Sequence, residues 1–373
     1  MIREMLPLQA KARRAFGEPA DPLDLWWVTP RGLQQATEAT VAKFKATLFD
    51  DAVVLDLCCG LGADLIALSG RGPTVGVDAD ARIACLAAAN LGVAGHWSTR
   101  VHCGRVIGGA VIDATGRKLP LMVNRADAWV HIDPDRRDAQ RRHTRADDWS
   151  PNWEVVMDWL KSTRGGLVKL APATVLRDDW IHDTARIWIS IGGRVREQTL
   201  VAGDLFNQAM AERLGWTAGC RGAVVLRRDA APQSYIPGDD LPTGLVETSQ
   251  QIGQWMVDPD ASIRAAGLTE SMASQFGLRC LGGPAGFLTA DEPPPARLRA
   301  LARVGRVLEV MPCREKKWRA YFRRQDAYPE TIKVRGLDRD PATLHRTLRG
   351  LGECPQTMWL GRTSQRAYCV MTD

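Results

Sequence analysis

The segment Val53-Val54-Leu55-Asp56-Leu57-Cys58-Cys59-Gly60-Leu61-Gly62-Ala63-Asp64 concentrates chemistry-bearing residues within one short stretch. An apolar strand ends in an acid, turns through two glycines and enters a helix. Glycines let a backbone approach a ligand closely, and the first helical turn offers N–H groups with no intrahelical acceptor. In an open α/β sheet the carboxyl end of such a strand lies in the ligand crevice. The following strand ends at Asp78, with Ala79 beside it, 22 residues beyond Asp56. A carboxylate there can accept from both hydroxyls of a ribose. Two more acids end expected strands: Asp113, followed by Ala114, and Asp133 in Ala128–Pro134.

Three details separate the nucleoside-containing cofactors. The dinucleotide fingerprint GxGxxG fails at its third glycine, where Leu65 stands, and that position must be small for helix–strand packing. No GxxxxGK[ST] loop is present to cradle a triphosphate. Asp56 at the turn would repel a pyrophosphate but welcome a cationic amino group. S-adenosylmethionine carries a ribose and an α-amino group and has no phosphate, so it fits better than NAD or ATP. Asp113 then becomes a candidate acceptor for the adenine amine.

Beyond the fourth strand end the chain reads Asp133-Pro134-Asp135-Arg136-Arg137 and continues to Arg141, Arg142, His143 and Arg145. Paired arginines after a strand-end carboxylate set a proton acceptor beside a fork for phosphate or carboxylate. Asp133 is the candidate for positioning or deprotonating the nucleophile, and Pro134, Arg136, Arg137 and Lys169 are candidates for substrate contact. Adenine amino-group methyltransferases place a second proline and an aromatic here; Asp135 and Arg136 replace them, which argues against that geometry. His131 alternates with apolar neighbours and reads as a packed strand residue. Cys58 and Cys59 read as backbone-contact positions in the turn, and no activating base for a thiolate is evident.

The elements that must position these groups are legible from Ala52 onward, where short β-branched strands alternate with helical stretches. That pattern predicts a Rossmann-like doubly wound α/β sheet of seven strands. Before it, Leu8–Phe16 and Arg31–Leu48 have helical spacing, with Thr29-Pro30 placed to cap the second. The expected division is an N-terminal helical segment at 1–48, a cofactor-binding domain at 49–230, a Pro/Gly/Asp-rich connector at 231–295, and a small α+β domain at 296–373. The boundary near 295 rests on Pro293-Pro294-Pro295, which neither a helix nor a central strand can contain.

With 373 residues, 45% hydrophobic and 25% charged, the chain has the composition of a globular protein of two or three domains, not of a disordered one. It contains no apolar run of the roughly 18 residues a membrane span needs, and its first residues carry charges where a signal peptide would be apolar. Nine cysteines without CxxC spacing predict a reduced, cytoplasmic protein without a metal site. The charge is uneven: residues 296–373 hold 17 Lys+Arg against 8 Asp+Glu. Such asymmetry predicts that this part meets a polyanion.

Four acids at four successive strand ends resemble the class I S-adenosylmethionine-dependent methyltransferases. The resemblance extends over residues 25–370 to a bacterial group carrying a C-terminal THUMP-like domain. Its marks are Trp27-Val28-Thr29-Pro30 with Leu33-Gln34-Gln35-Ala36-Thr37, Asp56-Leu57-Cys58-Cys59-Gly60, Asp133-Pro134-Asp135-Arg136-Arg137, Val168-Lys169-Leu170-Ala171-Pro172, Val307-Leu308-Glu309-Val310 and Lys333-Val334-Arg335-Gly336. It implies that Asp56, Cys58, Gly60 and Gly62 form the first cofactor motif, with Asp78 and Ala79 on the ribose and Asp113 and Ala114 on the adenine. It also implies structured RNA, such as tRNA or rRNA, as substrate, gripped by the basic C-terminal domain. The rivals are methylation of a small molecule or protein, and a non-catalytic protein that binds S-adenosylmethionine and RNA.

Overall fold

Val54–Leu57 (β1) is buried at every position because it lies in the middle of a sheet covered on both faces. A computed structural model describes residues 2–135, 149–177, 182–238, 248–282 and 286–373. They divide into two units, Met1–Ile236 and Pro237–Asp373.

In the first unit β1 pairs in parallel with Thr74–Asp78 (β2), which pairs in parallel with Arg100–Cys103 (β3). A separate hairpin of Arg105–Ile107 (β4) and Ala110–Ile112 (β5) follows. The chain then returns to the other side of β1 as Trp129–Ile132 (β6) and continues outward as Gly165–Leu170 (β7). Thr184–Ile191 (β8) and the antiparallel Arg194–Gly203 (β9) complete the sheet order β3-β2-β1-β6-β7-β9-β8. Seven is the number expected, but β3 stands where a strand ending at Asp113 was expected, and that segment is β5 of the hairpin. Arg221–Leu226 (β10) and Gln233–Tyr235 (β11) extend the edge to nine. The reversal between β1 and β6 is a topological switch point, where an open α/β sheet leaves its crevice.

Alternation along the strands assigns the faces. Val54 and Trp129 pack with Phe44 and Leu68, on the side of helices Ala39–Ala46 and Ala63–Arg71. Leu55, Leu57, Val130 and Ile132 pack with Trp153, Val156 and Trp159 of helix Trp153–Ser162 on the other side. Asp56 and His131 therefore share the face of the first pair of helices.

The N-terminal helix expected over Arg31–Leu48 is two helices, Pro30–Gln35 and Ala39–Ala46, with Ala36 extended between them. Thr29 caps the first by accepting from Gly32 N–H at 3.0 Å. The interruption has a physical cause. The Gln35 carbonyl accepts from the Lys169 ammonium at 3.1 Å, and the Thr37 hydroxyl donates to Asp64 at 2.5 Å. In a continuous helix the Gln35 carbonyl would instead accept from the N–H four residues on.

The second unit holds Thr248–Ser249 (β12), Trp255–Pro259 (β13), Arg279–Leu281 (β14), Phe287–Ala290 (β15), Ala302–Pro312 (β16), Ala327–Val334 (β17), Cys354–Arg362 (β18) and Ala367–Thr372 (β19). Their order is β12-β14-β15-β13-β16-β19-β18-β17. The region expected to be a connector thus supplies β11 to the first sheet and four strands to this one, and Pro293–Pro295 lead into helix Ala296–Leu301 inside the unit. Long β16 joins two groups of strands, pairing with β13 over its first half and with β19 from Val307 onward, with a register shift between Val307 and Glu309. Such an irregularity bends a strand. Met256, Leu281 and Phe287 of one group meet Trp359, Tyr368 and Val370 of the other in a single apolar cluster. Behind them helix Glu315–Arg324 buries Trp318, Tyr321 and Phe322.

Candidate active site

A cavity of about 640 Å3 opens at the carboxyl ends of β1, β2, β6 and β7. The turn after β1 forms its floor. Cys58, Gly60 and Gly62 have φ of 63°, 57° and 90°, a left-handed path that a side chain such as that of Cys58 adopts only where the surroundings impose it. A Cβ on Gly60 would meet nothing within 4 Å, so the turn presents bare backbone to open space. Its Gly60 N–H already donates to Asp78 Oδ2 at 2.9 Å, while Asp80 N–H donates to Asp78 Oδ1 at 3.0 Å. The amide that would hold a phosphate in a dinucleotide site is occupied by a carboxylate. Burial pushes the Asp78 carboxyl above the usual range, against those two N–H donors. Burial, with Asp78 and Asp133 nearby, pushes the Cys58 thiol well up, and burial does the same to Cys59. Neither sulfur is poised as a nucleophile.

Asp56 stands beneath the turn rather than on the cavity wall, fully buried. Its Oδ1 is 2.7 Å from His131 Nδ1, and His131 Nε2 is 3.2 Å from Lys45 Nζ. Lys45 also reaches Asp64 at 2.8 Å and Glu197 at 3.1 Å. The ammonium has three N–H groups and meets three acceptors. Burial opposes its charge, but Asp64 and Glu197 outweigh that and hold its pKa above the ordinary lysine value. A protonated Lys45 donates to Nε2, which leaves the Nδ1 hydrogen of His131 to donate to Asp56. Burial raises the Asp56 carboxyl while His131 draws it down; Asp56 Oδ2 has no partner among the described residues. Asp64 is held well below the usual carboxylate range: burial acts against this, and Lys45 prevails.

Asp133 and Lys169 meet across the crevice, Lys169 Nζ donating to Asp133 Oδ2 at 2.6 Å. Burial works against the lysine charge, and Asp133 more than restores it. Lys169 therefore holds the candidate acid and, through the Gln35 carbonyl, the segment around Gln35 that lines the cavity. Pro134 and Asp135 line the same wall. Asp135 lies 3.6 Å from Arg31 and 3.5 Å from Gln35 Nε2. Thr29, Gln35 and Ala79 line the cavity as well.

The structure does not bring every expected residue here. Asp113 and Ala114 lie beyond the third strand of the sheet, in the turn that ends the β4–β5 hairpin. Asp113 Oδ1 is engaged locally by Thr115 and Arg117. The apolar Val111-Ile112 reads as a sheet strand but belongs to the hairpin; β3 instead ends at Cys103, and Gly104, Arg105 and Val106 face the cavity. Arg136 and Arg137 lie outside the described residues. Lys45, Asp64 and Glu197 were not anticipated. The one signal for them is Lys45 itself, on the apolar stripe of its helix with Val41 and Ala42. Among the described residues no His/Cys/Asp/Glu group could hold a metal, and no helix is long and apolar enough to cross a membrane.

Residues 302–372 match the THUMP domain-like family. Over 359 residues the chain is 29% identical to an uncharacterized S-adenosylmethionine-dependent methyltransferase of Mycobacterium tuberculosis, covering 95% of this chain and 90% of the relative, and equally to its counterpart in a second strain. A crystal structure assigned to a methyltransferase from Porphyromonas gingivalis W83 superposes over 99% of this chain and 88% of its own, with a TM-score of 0.72 at 16% identity. That likeness concerns the fold. Strand order, cavity and relatives agree with an S-adenosylmethionine-dependent methyltransferase of Rossmann-like fold whose C-terminal part is similar to the THUMP domain-like family.

Proposed function

We propose that this methyltransferase acts on structured RNA, held by the basic C-terminal part and methylated at the β1/β6 crevice. The observation that carries the substrate class is the basic surplus within the part that matches the THUMP domain-like family. Helix Glu315–Arg324 buries its aromatics and leaves Lys316, Lys317 and Arg323 exposed, an arrangement suited to phosphates.

S-adenosylmethionine supplies an electrophilic methyl group on a sulfonium. The residues present fit such a cofactor: Asp78 is placed to accept from ribose hydroxyls, and bare glycine backbone allows close approach. Transfer from a sulfonium needs alignment more than acid catalysis. Asp133 orients the attacking group and accepts its hydrogen, while Lys169 fixes the carboxylate. The Thr29–Thr37 segment limits water at the reacting atoms.

The test is methyl transfer to unmodified transcripts across a salt series. An RNA enzyme loses affinity steeply between low and moderate salt, so KM rises with salt. Transfer to a small-molecule pool, indifferent to salt, contradicts the RNA assignment.

A further inference from the structure

Asp258, on β13, is almost completely buried, yet three cations surround it. Arg264 donates from Nε at 3.0 Å and from an Nη at 2.8 Å to Asp258 Oδ1. The same Nη reaches the Gly286 carbonyl at 2.9 Å. Arg335 donates to Oδ1 at 3.1 Å, and Lys333 Nζ lies 3.3 Å from Oδ2. One carboxylate therefore serves three positive charges. Arg264 neutralises it in a two-point contact and is itself mostly buried, with a side-chain exposure of 13%. Lys333 and Arg335 remain 35% and 34% exposed. The Nε of Arg335 is buried with no partner among the described residues.

A partly desolvated cluster with two unbalanced positive charges at the solvent edge favours an anion. Asp258 holds both cations in place before any anion arrives. Lys333 and Arg335 are two apart on one strand end, in the Lys333-Val334-Arg335-Gly336 segment, and so project from the same side of it. The guanidinium fork and the neighbouring ammonium match the oxygens of a phosphodiester. We propose that Lys333 and Arg335, pre-oriented by Asp258, form a binding site for a backbone phosphate of the RNA substrate. This rests on the RNA reading above.

The full-length protein and a labelled structured transcript test it by fluorescence anisotropy over a series of salt concentrations. Each lost phosphate contact flattens the slope of log K against log salt by somewhat under one, about 0.9 on a B-form duplex and about 0.7 on single strands. Lys333→Gln with Arg335→Gln should weaken RNA binding about tenfold at low salt and flatten the slope by about one contact, with S-adenosylmethionine affinity unchanged. Should the double variant fail to fold, Lys333→Gln alone leaves Asp258 with both arginines and should still flatten the slope. Wild-type binding with an unaltered affinity and slope in a folded variant overturns the site and leaves the RNA reading standing. A wild-type protein that binds no transcript at low salt overturns that reading and this site with it.

Discussion

The two units each bury an ionic cluster, and the clusters are opposites. In the first, one cation, Lys45, is held by Asp64, Glu197 and the His131 ring, with side-chain exposures of 1%, 9% and 2% for the three charged groups. In the second, one anion, Asp258, is held by Arg264, Arg335 and Lys333, two of them a third exposed. The first cluster has excess negative charge and is closed, beneath a cavity suited to a cofactor with a cationic sulfonium and amino group. The second has excess positive charge and is open at its edge. Burying like charges around one opposite charge is costly wherever water is excluded. The closed cluster therefore serves the fold that carries the turn, while the open one remains available to a ligand.

The largest effect should come from removing the central charge of the closed cluster. Lys45→Met leaves two carboxylates buried and uncompensated, and should cost about 3–5 kcal/mol in urea unfolding. Asp258→Asn should cost less, about 1–3 kcal/mol, because water can reach Lys333 and Arg335. Equal losses would erase the distinction between closed and open.

Asp133→Asn removes the acceptor but keeps the shape of the crevice. Methyl transfer should slow by about 100-fold or more, with S-adenosylmethionine affinity preserved in calorimetry. Unaltered turnover would remove Asp133 from the reaction.

Asp78 gives a pH signature. Its carboxyl sits above the usual range through burial, so as pH falls it takes up a proton earlier than an ordinary aspartate near pH 4 would. Cofactor affinity should therefore begin to weaken above that range and continue to fall with pH. Asp78→Asn should bind weakly at every pH and show no such fall; a variant that retains the wild-type profile would assign the titration elsewhere.

The smallest effect belongs to Asp113→Ala. Its carboxylate is engaged by Thr115 and Arg117 of its own turn, so cofactor affinity should not change. A loss would return Asp113 to the adenine pocket.

The sheet core was legible because its strands are short, β-branched and separated by helices, and because acids recur where those strands end. Asp78 and Asp133, which line the cavity, and Asp56, buried beneath its floor, were read that way. Asp113 misled because Val111-Ile112-Asp113 has the same local texture, and sequence pattern does not separate a hairpin from a sheet strand. The break at Ala36–Glu38 was hidden for a related reason: helical spacing continues through it, and only the distant Lys169 and Asp64 interrupt the helix. Lys45 could be seen as a charge on an apolar stripe, but its partners come from β6, β9 and another helix. The role of residues 248–290 was masked by glycines and prolines, since short strands between turns read as connection until their partners in β16 are known.

The most direct measurement is transfer of a radiolabelled methyl group from S-adenosylmethionine into a fractionated lysate, with RNA, protein and small-molecule pools counted separately. The account predicts label in RNA, reduced by Asp133→Asn and by the Lys333/Arg335 double substitution. Label confined to protein or small molecules, or no label in any pool including unmodified transcripts, would contradict it.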